Sequence, residues 1–149
     1  MFKVDVTSIQ EYLAFDPNRQ SDLSQLDALL RTSLPKLERW FYDGIHDATG
    51  GMHMQLVGYG AFKYLKSGKQ WVTWPVVGLA LQKNYFSLYF CVYKADHPIV
   101  DDYRGKLGEK RSGHNNISFV SFGSINLPTF KALLSEVEYL VETHPESVR

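Results

Sequence analysis

The residues best suited to chemistry in this sequence are tyrosines and cations, and most of them lie in the segment 54–116. Tyr85, Ser87 and Tyr89 recur at every second position, so a strand there presents their hydroxyls on one face. A face of this kind is either core whose hydroxyls reach the rim, or the lining of a pocket that needs apolar bodies with polar tips. Both interpretations stay open at this point.

A group of donors follows these tyrosines in the chain. The segment 104–116 contains four lysines and arginines against a single carboxylate, Glu109, and it continues into His114 and Asn116. A donor-rich turn of this kind can hold a phosphate or carboxylate, and the alternative is a solvated loop. The predicted ligand-binding residues are Tyr59, Lys63, Tyr64, Trp74, Lys83, Tyr89, Arg111, His114 and Asn116.

A metal site is the second chemical possibility. Asp43, His46 and Asp47 share a face if their turn is helical, and their oxygen and imidazole donors suit a metal ion, iron included. Established metal motifs such as H-E-x-x-H or paired C-x-x-C do not occur. Cys91 lies inside a strand-like run, and no serine occupies a G-x-S-x-G turn. These features favour a non-enzymatic function over catalysis, and an enzyme remains an alternative.

Strands must position the tyrosines. Three strand-like runs follow one another, at Gln55–Leu65, Trp71–Leu81 and residues 85–93, and Ile117–Phe122 predicts a fourth strand. Pro75 lacks the donor that an interior ladder position needs, so it predicts an edge or a bulge. The paired glycines of Gly58-Tyr59-Gly60 predict a close approach of the backbone or a bulge.

Amphipathic helices flank these strands. Ser8 and Glu11 form a capping box before a short first helix, and a second helix is expected from about Ser21 to Leu34. Leucines make one face of the second helix, while Asp27 is expected to face solvent. A last helix is expected to begin near Asn126.

Three further segments also have predicted conformations. Pro35 is expected to start another helical turn that passes through Trp40. The segment 99–107 is expected to form a short helix. The tail, residues 143–149, is expected to fray, so that the core of a single 1–149 domain covers residues 8–141.

Composition limits the classes of function. The 149 residues contain 16 lysines and arginines and 16 aspartates and glutamates, and this balance argues against a nucleic-acid binder driven by overall charge. One cysteine cannot form an internal disulfide and fits a reducing compartment. The sequence contains no signal-like start and no apolar run long enough to span a membrane, so a cytoplasmic protein is expected.

The order of these elements and four motifs resemble the bacterial YdhG-like domain family of unknown function. The similarity covers about Ser8 to Val141, and its motifs are Gln55 to Tyr64, Trp74 to Leu79, Gln82 to Tyr89 and Arg111 to His114. The resemblance implies a compact α+β domain. One member of the family has been described as a frataxin-like intracellular iron chaperone, so the resemblance also implies possible iron handling.

We therefore expect a single α+β domain, with a curved, mainly antiparallel sheet of about four strands packed by N-terminal and C-terminal helices. The expected function is non-enzymatic binding of a small anionic ligand or a protein partner. Iron handling and an uncharacterised enzyme are the alternatives. An exposed aromatic edge around Pro75 also makes a homodimer possible.

Overall fold

The computed structural model describes residues 2–44, 54–66 and 70–149 of the chain. In these ranges three α-helices pack on one face of a six-stranded antiparallel sheet, which is an α+β fold. Among the helices of the described ranges, none has the length and apolar character needed to cross a membrane.

The helices begin where the sequence predicts them. They are α1 (Ile9–Ala14), α2 (Gln20–Ser33) and α3 (Leu127–Thr143). The Ser8 hydroxyl accepts a hydrogen bond from the Glu11 amide at 3.1 Å, as a capping box requires. The side chain of Asn126 caps α3 by accepting from the amide of Thr129. Local sequence therefore sets both of these starting points.

The strands are β1 (Arg39–Tyr42), β2 (Leu56–Lys66), β3 (Gln70–Leu81), β4 (Phe86–Phe90), β5 (Tyr93–Lys94), β6 (His97–Pro98), β7 (Arg111–Ser112) and β8 (Asn116–Phe119). The main sheet has the strand order β1-β2-β3-β4-β8-β7, and each neighbouring pair is antiparallel. A separate two-stranded sheet pairs β5 with β6.

Alternation along the strands separates two faces of the sheet. The face under the helices is apolar, because register places Val57 opposite Leu79 and Leu79 opposite Leu88, which in turn lies opposite Ile117. We call the other side the outer face. There Tyr42, Leu56 and Ala80 are buried, and they pack beneath half-buried side chains of Trp40, Met54, Trp74 and Tyr89. The hydroxyl-bearing alternation of β4 is thus confirmed.

A glycine makes room for one of these rings. Trp40 lies over Gly58, and its indole N–H donates to the carbonyl oxygen of Gly60 at 2.8 Å. A Cβ on Gly58 would come within 2.8 Å of the Trp40 indole nitrogen and 2.9 Å of the Pro75 ring. The prediction of a close approach at these glycines is therefore confirmed.

The predicted strand number is wrong, because the main sheet has six strands in the described ranges rather than about four. The segment through Trp40 forms β1 instead of a helical turn, and it pairs with β2 from Arg39 opposite Tyr59 to Tyr42 opposite Leu56. The two-residue β7 adds the other edge by pairing with β8. Both strands are too short for alternation to reveal them, and pairing with a long neighbour decides their conformation.

Two other segments also differ from expectation. The segment 99–107 forms only a 3₁₀ turn, Ile99–Asp102. The tail, expected to fray, packs back onto the domain, because Val148 makes a β-bridge with Val92 and the Arg149 guanidinium lies 4.8 Å from the Tyr93 ring centre. Tertiary contacts order this end of the chain, where local sequence alone offers no helix or strand signal.

Tyr12 joins α1 to the sheet through its hydroxyl group. This buried hydroxyl donates to the Gln55 carbonyl oxygen at 2.9 Å and accepts from the Leu81 amide at 2.8 Å. We expect Tyr12→Phe to lower the free energy of unfolding by about 1 to 3 kcal/mol, because it leaves two buried backbone groups without this partner. Urea denaturation measures the change. Tyr139→Phe is the matched control, since Tyr139 is 59% exposed, and an equal loss in both variants would contradict the bridging role.

Candidate ligand-binding surface

The residues predicted to bind a ligand do not all converge. Trp74, Tyr89, Arg111 and Asn116 share the outer face, since Tyr89 pairs with Asn116 and Arg111 pairs with Ser118 on the neighbouring strands. The other predicted residues lie elsewhere. Tyr59 is buried on the helix side, Lys63 and Tyr64 lie on the exposed end of β2, Lys83 lies in the turn between β3 and β4, and His114 lies between β7 and β8.

Arg111 is held in place by a residue absent from the predicted set. Its guanidinium lies 5.4 Å from the ring centre of Tyr85 and donates to the Tyr85 hydroxyl at 3.1 Å. Stacking on an aromatic ring orients a guanidinium and leaves its remaining N–H groups available to a ligand. The alternation that carries Ser87 and Tyr89 includes Tyr85, so this signal was present in the sequence.

Polar side chains continue across the outer face beside this pair. The hydroxyls of Ser87 and Ser118 are buried and lie 2.7 Å apart, so they satisfy each other. Tyr89 is half-buried next to them. Burial, followed by the nearby Tyr85, raises the pKa of the Tyr89 phenol above its ordinary value. Tyr89 therefore keeps its proton and remains a hydrogen-bond donor.

The loop between β7 and β8 is fixed by Arg104 rather than left open for a ligand. The Arg104 guanidinium donates to the carbonyl oxygens of Gly113 and His114 at 2.7 and 2.8 Å and forms an ion pair with Asp101 at 2.7 Å. The His114 ring lies 3.0 Å from the Tyr93 hydroxyl. These contacts occupy Arg104 and the His114 ring, two of the donors that the segment offered.

Asp27 anchors a buried network that the sequence did not predict. Asp27 is only 5% exposed, so the expectation that it faces solvent is wrong. Its carboxylate accepts from the Tyr59 hydroxyl at 2.5 Å and from the Arg39 guanidinium at 2.7 Å. Burial, followed by the charge of Asp27, raises the pKa of Tyr59. This tyrosine therefore joins α2 to β2 and is closed to a ligand.

A surface groove runs beside this network and has a volume of about 510 Å³. Its walls include Leu34 and Leu37, and its charged residues are Arg31, Arg39 and Glu38. Arg39 is already paired with the buried Asp27, and Arg31 lies 3.8 Å from the same carboxylate. Two cations thus face two carboxylates, so the groove offers an anion little net attraction.

The predicted metal site cannot be assembled from the described residues. Asp43 lies just after β1, while His46 and Asp47 fall outside the described ranges. Within those ranges no group of three or more metal-ligating side chains converges. His97 and Asp102 lie 3.2 Å apart, yet the ammonium of Lys94 lies 3.6 Å from the same carboxylate. Iron handling stays a prediction from the resemblance.

Cys91 is buried, as its position in a strand-like run suggested. Burial raises the pKa of its thiol to about 11. Because the thiolate is the reactive form, this cysteine stays protonated and unreactive near neutral pH.

Comparison of the chain with protein-family models, curated proteins and solved structures finds no match. Membership of the YdhG-like family therefore stays a prediction.

Proposed function

We propose that this protein binds a small anionic ligand on the outer face of its sheet, with Arg111 as the charged contact. One observation carries the proposal: Tyr85 fixes the Arg111 guanidinium, while no carboxylate of the described residues lies within 4.0 Å of it. An oriented and uncompensated guanidinium is suited to a carboxylate or a phosphate, which it can bind through two parallel N–H groups.

The surroundings of Arg111 favour an anion that carries an aromatic or apolar portion. Lys110 precedes Arg111 and is exposed, so a second positive charge lies nearby. The Tyr89 hydroxyl can donate to an anionic oxygen, and the half-buried rings of Tyr85 and Tyr89 offer apolar surface. Phenyl phosphate is therefore expected to bind more tightly than inorganic phosphate.

The test is to titrate the purified protein with phenyl phosphate, inorganic phosphate and citrate, and to measure the heat of binding by isothermal titration calorimetry. We expect Arg111→Ala to weaken phenyl phosphate binding by about 10- to 100-fold, as loss of a charge-assisted hydrogen bond requires. Arg111→Lys keeps the charge but loses the planar fork of N–H groups, so its affinity for phenyl phosphate should lie between those of the wild type and Arg111→Ala. Added salt should weaken binding by the wild type, because the site is exposed.

Lys131→Ala is the matched control, since Lys131 is an exposed cation on α3. If Lys131→Ala and Arg111→Ala lose affinity for phenyl phosphate equally, overall charge explains the effect. That result would contradict the proposed site. If none of the three anions binds, the proposal is wrong. The same samples titrated with Fe(II) test iron handling, for which Arg111→Ala should make no difference.

A further inference from the structure

The hairpin of β2 and β3 extends beyond the strands on either side of it. Pairing of β1 with β2 ends at Tyr59, and pairing of β3 with β4 ends at Val77, with one more bond from the Cys91 amide to the Val76 carbonyl oxygen. Pairing of β2 with β3 continues to Lys66 opposite Gln70. We call residues 61–66 and 70–76 the arm. In the described part of the chain, residues 61–66 and 70–75 form ladder pairs only with each other.

The arm exposes large apolar side chains. Leu65 and Trp71 lie directly opposite each other on one face of the ribbon, and they are 54% and 64% exposed. Tyr64 is 38% exposed. A two-stranded ribbon is only marginally stable in water by itself. Exposed aromatic side chains on such a ribbon are typical of a surface that another chain covers.

The backbone of β3 has an open side along the arm. Ala61 lies opposite Pro75, which has no N–H, so this is a non-hydrogen-bonded pair and the neighbouring Trp74 directs its amide and carbonyl groups toward β2. Because direction alternates along a strand, Thr73 and Trp71 direct their amide and carbonyl groups to the open side. No residue from Gln70 to Trp74 is charged. Native proteins usually protect an edge strand with a charge, often lysine. The β2 side of the arm has Lys63, whereas the β3 side has none.

We propose that the open edge of β3 pairs with the same edge of a second copy of this protein. The two strands run antiparallel around a twofold axis at Val72, so that Val72 lies opposite its counterpart and Trp71 lies opposite Thr73 of the other copy. The two Trp71–Thr73 pairs supply about four hydrogen bonds between the copies. Thr73 of the other copy then covers part of the exposed Trp71 indole.

Charge favours a second copy as the partner. Twofold pairing of the uncharged run Gln70 to Trp74 brings no like charges together. The chain has equal numbers of positive and negative residues, 16 of each, so two copies do not repel each other through net charge. This inference is independent of the anion site at Arg111.

Charge reversal at the axis tests the proposal. Val72 faces its own counterpart at about 5 Å between Cβ atoms, so Val72→Lys and Val72→Glu each place like charges together. By light scattering, the wild type should show twice the 17.1 kDa mass of one chain. Each variant alone should associate at least about tenfold more weakly. An equimolar mixture of Val72→Lys and Val72→Glu should again show the dimer mass, because opposite charges then face each other at residue 72. Only pairing between residues 72 of two copies explains such a recovery.

Val120→Lys is the matched control, because Val120 is a valine that is 51% exposed at the end of β8, and it should keep the wild-type mass. Hydrogen exchange is a second test of the dimer that uses only the wild-type protein, so it does not depend on whether a variant folds. The amides of Trp71 and Thr73 should become more protected as protein concentration rises, while the amide of Val72, which faces β2, should not change. A wild type that stays monomeric, or a mixture that does not recover dimer, would overturn the proposal.

Discussion

We expect Asp27→Ala to lower the free energy of unfolding by about 3 to 5 kcal/mol, the range seen when one member of a buried ion pair is removed. The carboxylate is 5% exposed and holds the Arg39 guanidinium at 2.7 Å and the Tyr59 hydroxyl at 2.5 Å. Alanine would leave a partly buried guanidinium and a fully buried hydroxyl without their acceptor. Urea denaturation followed by circular dichroism measures the loss.

Variants of the two partners of Asp27 separate the contributions of its hydrogen bond and its ion pair to the free energy of unfolding. Tyr59→Phe removes one hydrogen bond and keeps the ion pair, so it should cost about 1 to 2 kcal/mol. Arg39→Met leaves the buried carboxylate with Tyr59 and the more distant Arg31, which lies 3.8 Å away. It should therefore be nearly as costly as Asp27→Ala. In a double-mutant cycle, Asp27 and Arg39 should show coupling of at least about 1 kcal/mol.

Asp5→Ala is the matched control, since Asp5 is an exposed aspartate and its removal should change stability by no more than about 0.5 kcal/mol. If Asp27→Ala costs less than about 1 kcal/mol, the pair behaves like a surface salt bridge. That outcome would show that the Asp27 network does not stabilise the packing of α2 against β1 and β2.

Local signals in the sequence predicted most of the fold. The Ser8 capping box and the Asn126 cap each satisfy a helix amide three residues away, so neither cap depends on a tertiary contact. The alternation in β4 also holds, because one face of that strand packs on the helices. β1 could not be predicted in this way. Its four residues become a strand because β2 offers them a partner.

The candidate site was predictable only in part. The hydroxyl face follows from alternation, and Arg111 was selected for its charge. The contact of Arg111 with Tyr85 spans 26 residues of sequence, so only the fold can bring the two side chains together. Asp27 was misplaced because a carboxylate at the border of a leucine face usually points to solvent. Arg39 and Tyr59, which compensate for its burial, come from β1 and β2.

Gly108 fixes the approach of the segment before β7 to the start of α3. It has a φ of +81°, and a Cβ there would overlap the carbonyl oxygen of Ser124. The adjacent Leu107 is buried and accepts a hydrogen bond from the Asn126 amide at 2.8 Å. A side chain at residue 108 must therefore displace the turn that precedes α3.

We expect Gly108→Ala to lower the free energy of unfolding by about 2 to 5 kcal/mol, from about 1 to 2 for the left-handed backbone and about 1 to 3 for the overlap. Gly105→Ala is the matched control, because Gly105 has a φ of +78° and no atom lies within 4 Å of the position that its Cβ would occupy. It should lose only the backbone part, about 1 to 2 kcal/mol. Equal losses for both variants, measured by urea denaturation, would show that the contact of residue 108 with Ser124 contributes nothing, and that backbone conformation alone selects glycine at both positions.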